Sequence, residues 1–240
     1  MKQVNWGIIG LGKVAYKFAE AFKKIDSARL LGISSRNHQK LFKFKDDFQI
    51  EEKYCFSEYE NLLKCEDIDI IYIALPNSLH YDWIIKSIEY KKNILVEKPA
   101  TINSSQINNI KDKINSKNLL FAEGFMYQYH PQTKKIIDLI KKGVIGEIQS
   151  MESYFGVDIL TKNFFFGFSK RKKIDENNRK YNKQLGGGAI LDLGCYPSSF
   201  SIIIASLKEN IDLNNIIYSN ASKEVLSSGI DLDSYLELNF

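Results

Sequence analysis

Five short apolar runs divide the first half of the chain: residues 4–9, 30–33, 68–75, 93–96 and 119–122. Between them apolar side chains recur three and four residues apart, the spacing of one helix face. The stripes are Ala15, Phe18, Phe22 and Ile25, a segment over residues 39–48, then Tyr81, Ile84, Ile85 and Ile88, and finally Ile107, Ile110 and Ile114. The run 68–75 reads IDIIYIAL, nearly apolar throughout, as a strand covered on both faces should be. Strands that alternate with helices of this length pair in parallel through right-handed crossovers. The expected class is α/β: a doubly wound parallel sheet with helices on both faces.

Past residue 124 the rhythm changes, so two domains are expected, over residues 1–123 and 124–240. Pro131 opens a helix carried by Ile136, Ile137 and Ile140 that stops near Gly143. Residues 148–155 read as a long strand, residues 162–184 as a polar, basic loop. After GGGAILDLGCYPSSF the sequence closes on YLELNF, with Leu236, Leu238 and Phe240 alternating against Tyr235, Glu237 and Asn239. That is the pattern of a half-buried strand. Because it stops within a strand, the second domain reads as incomplete, with an open sheet edge suited to homo-oligomer formation.

Composition removes several classes. A net charge of +4 with scattered basic residues does not make a nucleic-acid surface. The one basic run, Lys170–Arg171–Lys172–Lys173, is followed at once by Asp175 and Glu176. Three cysteines (Cys55, Cys65, Cys195) show neither metal-ligand spacing nor a disulfide framework. The N-terminus lacks the features of a signal peptide, and no stretch approaches the ~20 apolar residues of a membrane span. The expectation is a cytoplasmic protein with no metal, no nucleic acid and no membrane partner.

The turn GLGKVA lies between the first run and the first helical stripe. Gly10 permits the tight turn, Gly12 lets the backbone approach a pyrophosphate, and Ala15 keeps helix and sheet close. With Lys13 and Val14 these residues open a helix whose first N–H groups and positive dipole end suit an anion. The second run ends in Ser34–Ser35–Arg36 where an acid would hold the ribose of NAD. Arg36 can grip a 2′-phosphate and Ser35 can donate to it, which favours NADP. Alternatively Arg36 stacks on adenine and accepts NAD as well. Two further strand ends, Leu75–Pro76–Asn77 with His80, and Glu97–Lys98–Pro99, belong to the same edge, where ligands of open parallel sheets lie. Taken alone, the second of these is equally a strand surfacing into solvent.

The stretches GIIGLGKVA, YIALPNSLHYDWIIKSIEYKKNILVEKP, AEGFMYQYHPQ, IGEI and GGGAILDLGCYP occur in that order from residue 7 to 197. Together they resemble the glucose-fructose oxidoreductase, inositol dehydrogenase and MocA (Gfo/Idh/MocA) family. The resemblance implies an N-terminal Rossmann domain and a C-terminal α/β domain with a mostly antiparallel sheet. It also implies hydride transfer between a nicotinamide and a secondary alcohol or ketone of a sugar, cyclitol or nucleotide sugar. The family's E-K-P lysine falls on Lys98, and its acid of the G-G-G…D-x-G motif on Asp192. Tyr196 stands where many members have histidine, as in the branch with glucose-fructose oxidoreductase, dihydrodiol dehydrogenase and sugar ketoreductases. Gln128 replaces a frequent arginine. Family chains are longer than 240 residues.

Hydride transfer at a carbinol carbon needs a partner for the hydroxyl proton and a donor to the oxygen. Tyr196, acidified by a neighbouring Lys98, can serve, and Lys98 can donate directly. Asp192 would orient either; otherwise it caps a helix or holds a loop, and Tyr196 is otherwise core packing. His80 caps its helix or lines the cofactor cleft, His130 is structural, and His38 lies on the surface. Tyr127, Gln128 and Tyr154 line a substrate pocket or are plain core, while Arg179 and Lys180 meet sugar hydroxyls or a phosphate. A nicotinamide-binding sensor without turnover is the competing reading.

Overall fold

Six strands form one parallel sheet: β1 (Val4–Ile9), β2 (Ala28–Ser34), β3 (Cys55–Phe56), β4 (Ile70–Ile73), β5 (Asn93–Val96) and β6 (Phe121–Glu123). Their spatial order is β3-β2-β1-β4-β5-β6, so the order reverses between β1 and β4. The computed structural model describes residues 3–158, 160–163, 169–175, 178–208 and 217–239. These form two compact units, Met1–Gly124 and Phe125–Phe240.

Side-chain alternation along the strands divides the first unit's core between the two faces. Ile9, Ile71, Ile73, Ile94 and Val96 pack with Leu62, Trp83, Ile84, Ile110 and Ile114 on one side. Ile8, Ile33 and Tyr72 pack with Ala15, Ala19, Leu41 and Phe44 on the other. The first side is covered by α3 (Tyr59–Lys64), α4 (Asn77–Glu89) and α5 (Ser104–Lys117), the second by α1 (Lys13–Ala21) and α2 (His38–Phe48). Burial on both faces is why the central strands read as continuous apolar runs. Asn37 and Asn103 cap α2 and α5 by accepting from the N–H groups of Lys40 and Gln106, each at 3.0 Å. The elements that periodicity did not show are the shortest, β3 and α3, too brief to establish a repeat.

The second unit opens with α6 (Pro131–Lys141), where Pro131 takes the first helical position and His130 Nδ1 accepts from the Gln132 N–H at 3.2 Å. Residues 148–155 do not form the expected strand. No described strand pairs with them, and Tyr154 is 89% exposed; an apolar run without a ladder partner has nowhere to place its N–H and C=O groups except water. The segment expected as loop instead carries an antiparallel pair, β7 (Thr161–Asn163) with β8 (Ser169–Arg171), and short 3₁₀ turns at Arg179–Tyr181 and Lys183–Leu185.

A helix follows, with a π turn at Ile190–Gly194 and regular α7 (Cys195–Ala205). By length and composition the segment Lys183–Ala205 is apolar enough to cross a membrane, contrary to the expectation that none is. Left-handed backbone at Gly186 (φ +73°) and Gly188 (φ +114°) interrupts it, however, so continuous helix begins only after the glycines. Finally β9 (Ile217–Val225) pairs antiparallel with β10 (Asp231–Asn239). Tyr235 and Leu236, on opposite faces of β10, are 55% and 51% exposed, so the alternation of YLELNF does not divide a buried from a solvated face. Phe240 lies outside the described residues.

Candidate functional site

The carboxyl ends of the parallel strands gather the first unit's polar residues along one edge. At the end of β1 the backbone turns at Gly10 (φ +89°), whose N–H donates to the Ser34 carbonyl at 3.1 Å. Gly12 is the N-cap of α1 and offers no side chain to its first turn. A Cβ built on Gly12 would meet nothing within 4 Å, so the space over this helix N-terminus is open. The first-turn N–H groups of any α-helix lack intrahelical acceptors. Here Lys13 and Val14 are exposed at that terminus, while Ala15 is fully buried against the sheet. Backbone donors, a dipole end and a vacant Cβ position together fit a pyrophosphate.

At the end of β2, Ser35 is buried and Arg36 exposed. The Ser35 hydroxyl oxygen accepts from the Asn37 N–H at 3.1 Å, and the Ser35 N–H donates to the Phe56 carbonyl at 3.1 Å. The Arg36 guanidinium lies over the Tyr59 ring, 5.2 Å from its centroid. No acid follows β2 to repel a phosphate.

At the ends of β4 and β5 the chain is stitched together. Leu75 and Pro76 lead into α4, with Pro76 at the N-cap and Asn77 buried at the first helical position. His80, expected to cap α4 or line the cleft, lies in the first turn of α4. It is fully buried, with Nε2 2.9 Å from the Leu75 carbonyl oxygen and Nδ1 2.8 Å from that of Pro99. It therefore ties the turn after β4 to the turn after β5. The second turn is pinned from its other side as well, by the Ala100 N–H donating to Glu123 Oε1 at 2.7 Å. Lys98 stands at the tip of this doubly held turn, half-buried, followed by a cis peptide to Pro99.

Glu97 has a partner the sequence did not disclose. The Tyr72 hydroxyl, on the adjacent strand β4, donates to Glu97 Oε1. Burial pushes the Tyr72 phenol well above its ordinary pKa, and the Glu97 carboxylate adds to that, so the phenol keeps its proton and remains a donor. Burial likewise raises the Glu123 carboxyl, opposed by the Ala100 N–H. The one available sign of Tyr72 was a hydroxyl-bearing ring inside an otherwise aliphatic strand.

The second unit assembles a different group. Tyr196, on α7, sits among Phe125, Tyr127 and Phe155, with ring centroids 5.8, 6.1 and 5.3 Å away. The Tyr127 hydroxyl donates to Ser199 Oγ at 2.8 Å, and Gln128 Nε2 approaches the same oxygen at 3.5 Å. Tyr154 does not join them; its neighbour Phe155 does. Asp192 lies inside the π turn, so it is not an N-cap. That helix start is served instead by Asp231 of β10, which accepts from the Ile190 N–H at 2.7 Å. Asp192 pairs with Lys180 at 3.9 Å, and Arg179 is exposed on the preceding 3₁₀ turn. The carbonyls of Arg179 and Lys180 stand 2.6 Å from where a Gly187 Cβ would be, so glycine lets this turn pack against the helix start. Among the described residues, no group of three or more His, Cys, Asp or Glu could hold a metal ion.

The family model for the oxidoreductase family with an NAD-binding Rossmann fold matches residues 4–125. The chain belongs to this Gfo/Idh/MocA family. Among curated relatives, it is 28% identical over 234 residues to a dTDP-3,4-didehydro-2,6-dideoxy-α-D-glucose 3-reductase from Saccharopolyspora spinosa, covering 96% of this chain and 63% of the relative. It is 27% identical to a trans-1,2-dihydrobenzene-1,2-diol dehydrogenase from Xenopus tropicalis, covering 93% and 64%. The chain thus spans just under two thirds of the length of these Gfo/Idh/MocA relatives. A 3-ketoreductase from Actinomadura kijaniata, solved with NADP and TDP-benzene, superposes with a TM-score of 0.79 at 26% identity, covering 99% of this chain and 66% of that one.

Proposed function

We propose that this Gfo/Idh/MocA member is an NADP(H)-dependent oxidoreductase acting on a secondary alcohol or ketone of a sugar, with a nucleotide-activated sugar as the favoured class. The observation that carries this reading is the single edge on which Gly12, Arg36 and Lys98 stand. An open helix N-terminus, a guanidinium with no competing acid and an ammonium on a braced turn are the parts a phosphorylated dinucleotide and a carbonyl require. The names of the relatives, two of which are sugar 3-ketoreductases, support the substrate class.

When bound, the nicotinamide gives or takes the hydride. The chain's own residues do the rest. The first turn of α1 holds the pyrophosphate, Arg36 with the Ser35 hydroxyl takes the 2′-phosphate, and Glu97, fixed by Tyr72, accepts from ribose hydroxyls. Lys98 donates to the carbonyl oxygen as it gains charge, an interaction stronger in the transition state than before it. Tyr196 is assigned the proton that completes the alcohol, and Asp192, paired with Lys180, is assigned an orienting role. Tyr127, Gln128 and Arg179 are assigned to the sugar. Reduction consumes one hydride and one proton per ketone; oxidation returns both.

Steady-state turnover with NADPH and NADH on a panel of free and nucleotide-linked keto-sugars tests this reading. NADPH-dependent reduction of a nucleotide-linked member is expected. Tight NADPH binding with no turnover on any member refutes the enzyme reading in favour of a sensor.

A further inference from the structure

Tyr59 opens α3, on a strand-helix unit that is not itself expected to touch a ligand. Its ring is 9% exposed and meets Trp83 edge-on at 4.9 Å, so its orientation is set by the core. Its other neighbour is Arg36, whose guanidinium lies 5.2 Å above the ring centroid. Burial raises the Tyr59 phenol, while the Arg36 charge and the backbone N–H of Arg36, which faces the phenolic oxygen, draw it back. The turn that carries Arg36 is fastened to the same unit, because Ser34 Oγ and the Ser35 N–H both donate to the Phe56 carbonyl, at 2.9 and 3.1 Å.

We propose that Tyr59 is a positioning residue for cofactor choice, holding the Arg36 guanidinium by its face so that its edge is presented to the adenosine 2′-phosphate. This rests on the NADP reading above. A guanidinium offers two separable surfaces: the planar face stacks on an aromatic ring, and the five N–H donors around the rim grip phosphate oxygens. Occupying the face therefore leaves the rim available. It also removes rotamers that a long, exposed arginine would otherwise lose on binding, so less is lost per hydrogen bond formed. NAD, lacking the 2′-phosphate, gains nothing from this arrangement. Tyr59 should thus act on the ratio of the two affinities, which a residue that merely packs would not alter.

Fluorescence titration of NADPH and NADH into the wild type, Tyr59→Leu and Tyr59→Phe, with melting temperatures alongside, tests this. Tyr59→Leu is expected to weaken NADPH by about fivefold or more while NADH stays within about twofold. Tyr59→Phe, which keeps the ring, should hold the wild-type ratio within about twofold. Should Tyr59→Leu fail to fold, Tyr59→Met supplies volume without a π face and is read by the same ratio. An unchanged ratio in the Leu or Met variant, or equal loss of both cofactors, overturns the inference while leaving the NADP reading intact. A wild type that binds NADH as tightly as NADPH overturns both.

Discussion

Two glycines two residues apart should respond in opposite ways to the same added methyl group. At Gly10 the backbone is left-handed (φ +89°), and a Cβ would stand 2.6 Å from the Ala74 carbonyl oxygen and 2.8 Å from Leu75 Cδ2. Ala74 has little freedom to retreat, since its N–H donates to the Ile9 carbonyl at 2.9 Å. Left-handed strain of about 1–2 kcal/mol and overpacking of similar size put the destabilisation of Gly10→Ala at about 3 kcal/mol. For a chain of this length that lowers the melting temperature by about 6–12 °C. At Gly12 the backbone is ordinary (φ −92°) and the Cβ meets no protein atom within 4 Å. Gly12→Ala should therefore fold about as well as the wild type, the unfolded chain's lost freedom of about 0.4–1 kcal/mol offsetting the poorer N-cap that alanine makes. Its methyl group would occupy the space assigned to the pyrophosphate, weakening NADPH by about tenfold or more, since overpacking of about 1.4 kcal/mol is one decade in affinity. Thermal melts by circular dichroism and fluorescence titration with NADPH read the two effects separately. Wild-type NADPH affinity in a stable Gly12→Ala protein would refute the placement of the pyrophosphate, and a Gly10→Ala protein melting within about 2 °C of wild type would refute the steric argument.

Arg36→Asp replaces the charge that favours a 2′-phosphate with one that repels it; NADPH affinity should fall by about ten- to a hundredfold, at about 1.5–3 kcal/mol per charge-assisted hydrogen bond, and NADH should become the preferred cofactor in a competition titration. Lys98→Met should lower single-turnover hydride transfer at saturating NADPH by about 10²–10³ with cofactor affinity retained, and a rate within tenfold of wild type would return Lys98 to the role of a surface residue. Tyr196→Phe keeps the ring among Phe125, Tyr127 and Phe155 and removes only the hydroxyl, so a loss of about 10²–10⁴ in rate with NADPH affinity nearly unchanged is expected. Burial raises the Glu123 carboxyl above its ordinary 4.5, so the folded chain binds that proton more tightly than the unfolded one and stability falls as pH rises through the raised value. Glu123→Gln keeps an oxygen for the Ala100 N–H; its melting temperature relative to wild type should climb between pH 4.5 and 7, and a difference flat across that range would refute the assignment.

Backbone-scale features of the first unit were legible because they are written locally. Strands buried on both faces need unbroken apolar runs, helices over them need apolar residues three and four apart, and the left-handed turn at Gly10 needs a residue without a side chain. For the same reason the missing acid after β2 and the Glu97–Lys98–Pro99 tip after β5 could be placed at the carboxyl ends of the parallel strands from the alternation of strands and helices alone. What could not be read are the partnerships. That Tyr72 holds Glu97, that His80 braces the Lys98 turn, that the Arg36 guanidinium lies over Tyr59, and that Asp231 serves the helix start in place of Asp192 all join residues distant in sequence. Periodicity records which way a side chain faces, not what faces it. The second unit shows the limit most plainly: residues 148–155 have the apolar content of a strand, but a strand exists only where another backbone offers hydrogen bonds in register. The sequence determined each segment's own conformation where burial enforced a repeat; the tertiary structure decided which polar groups meet, because that depends on which segments are packed side by side.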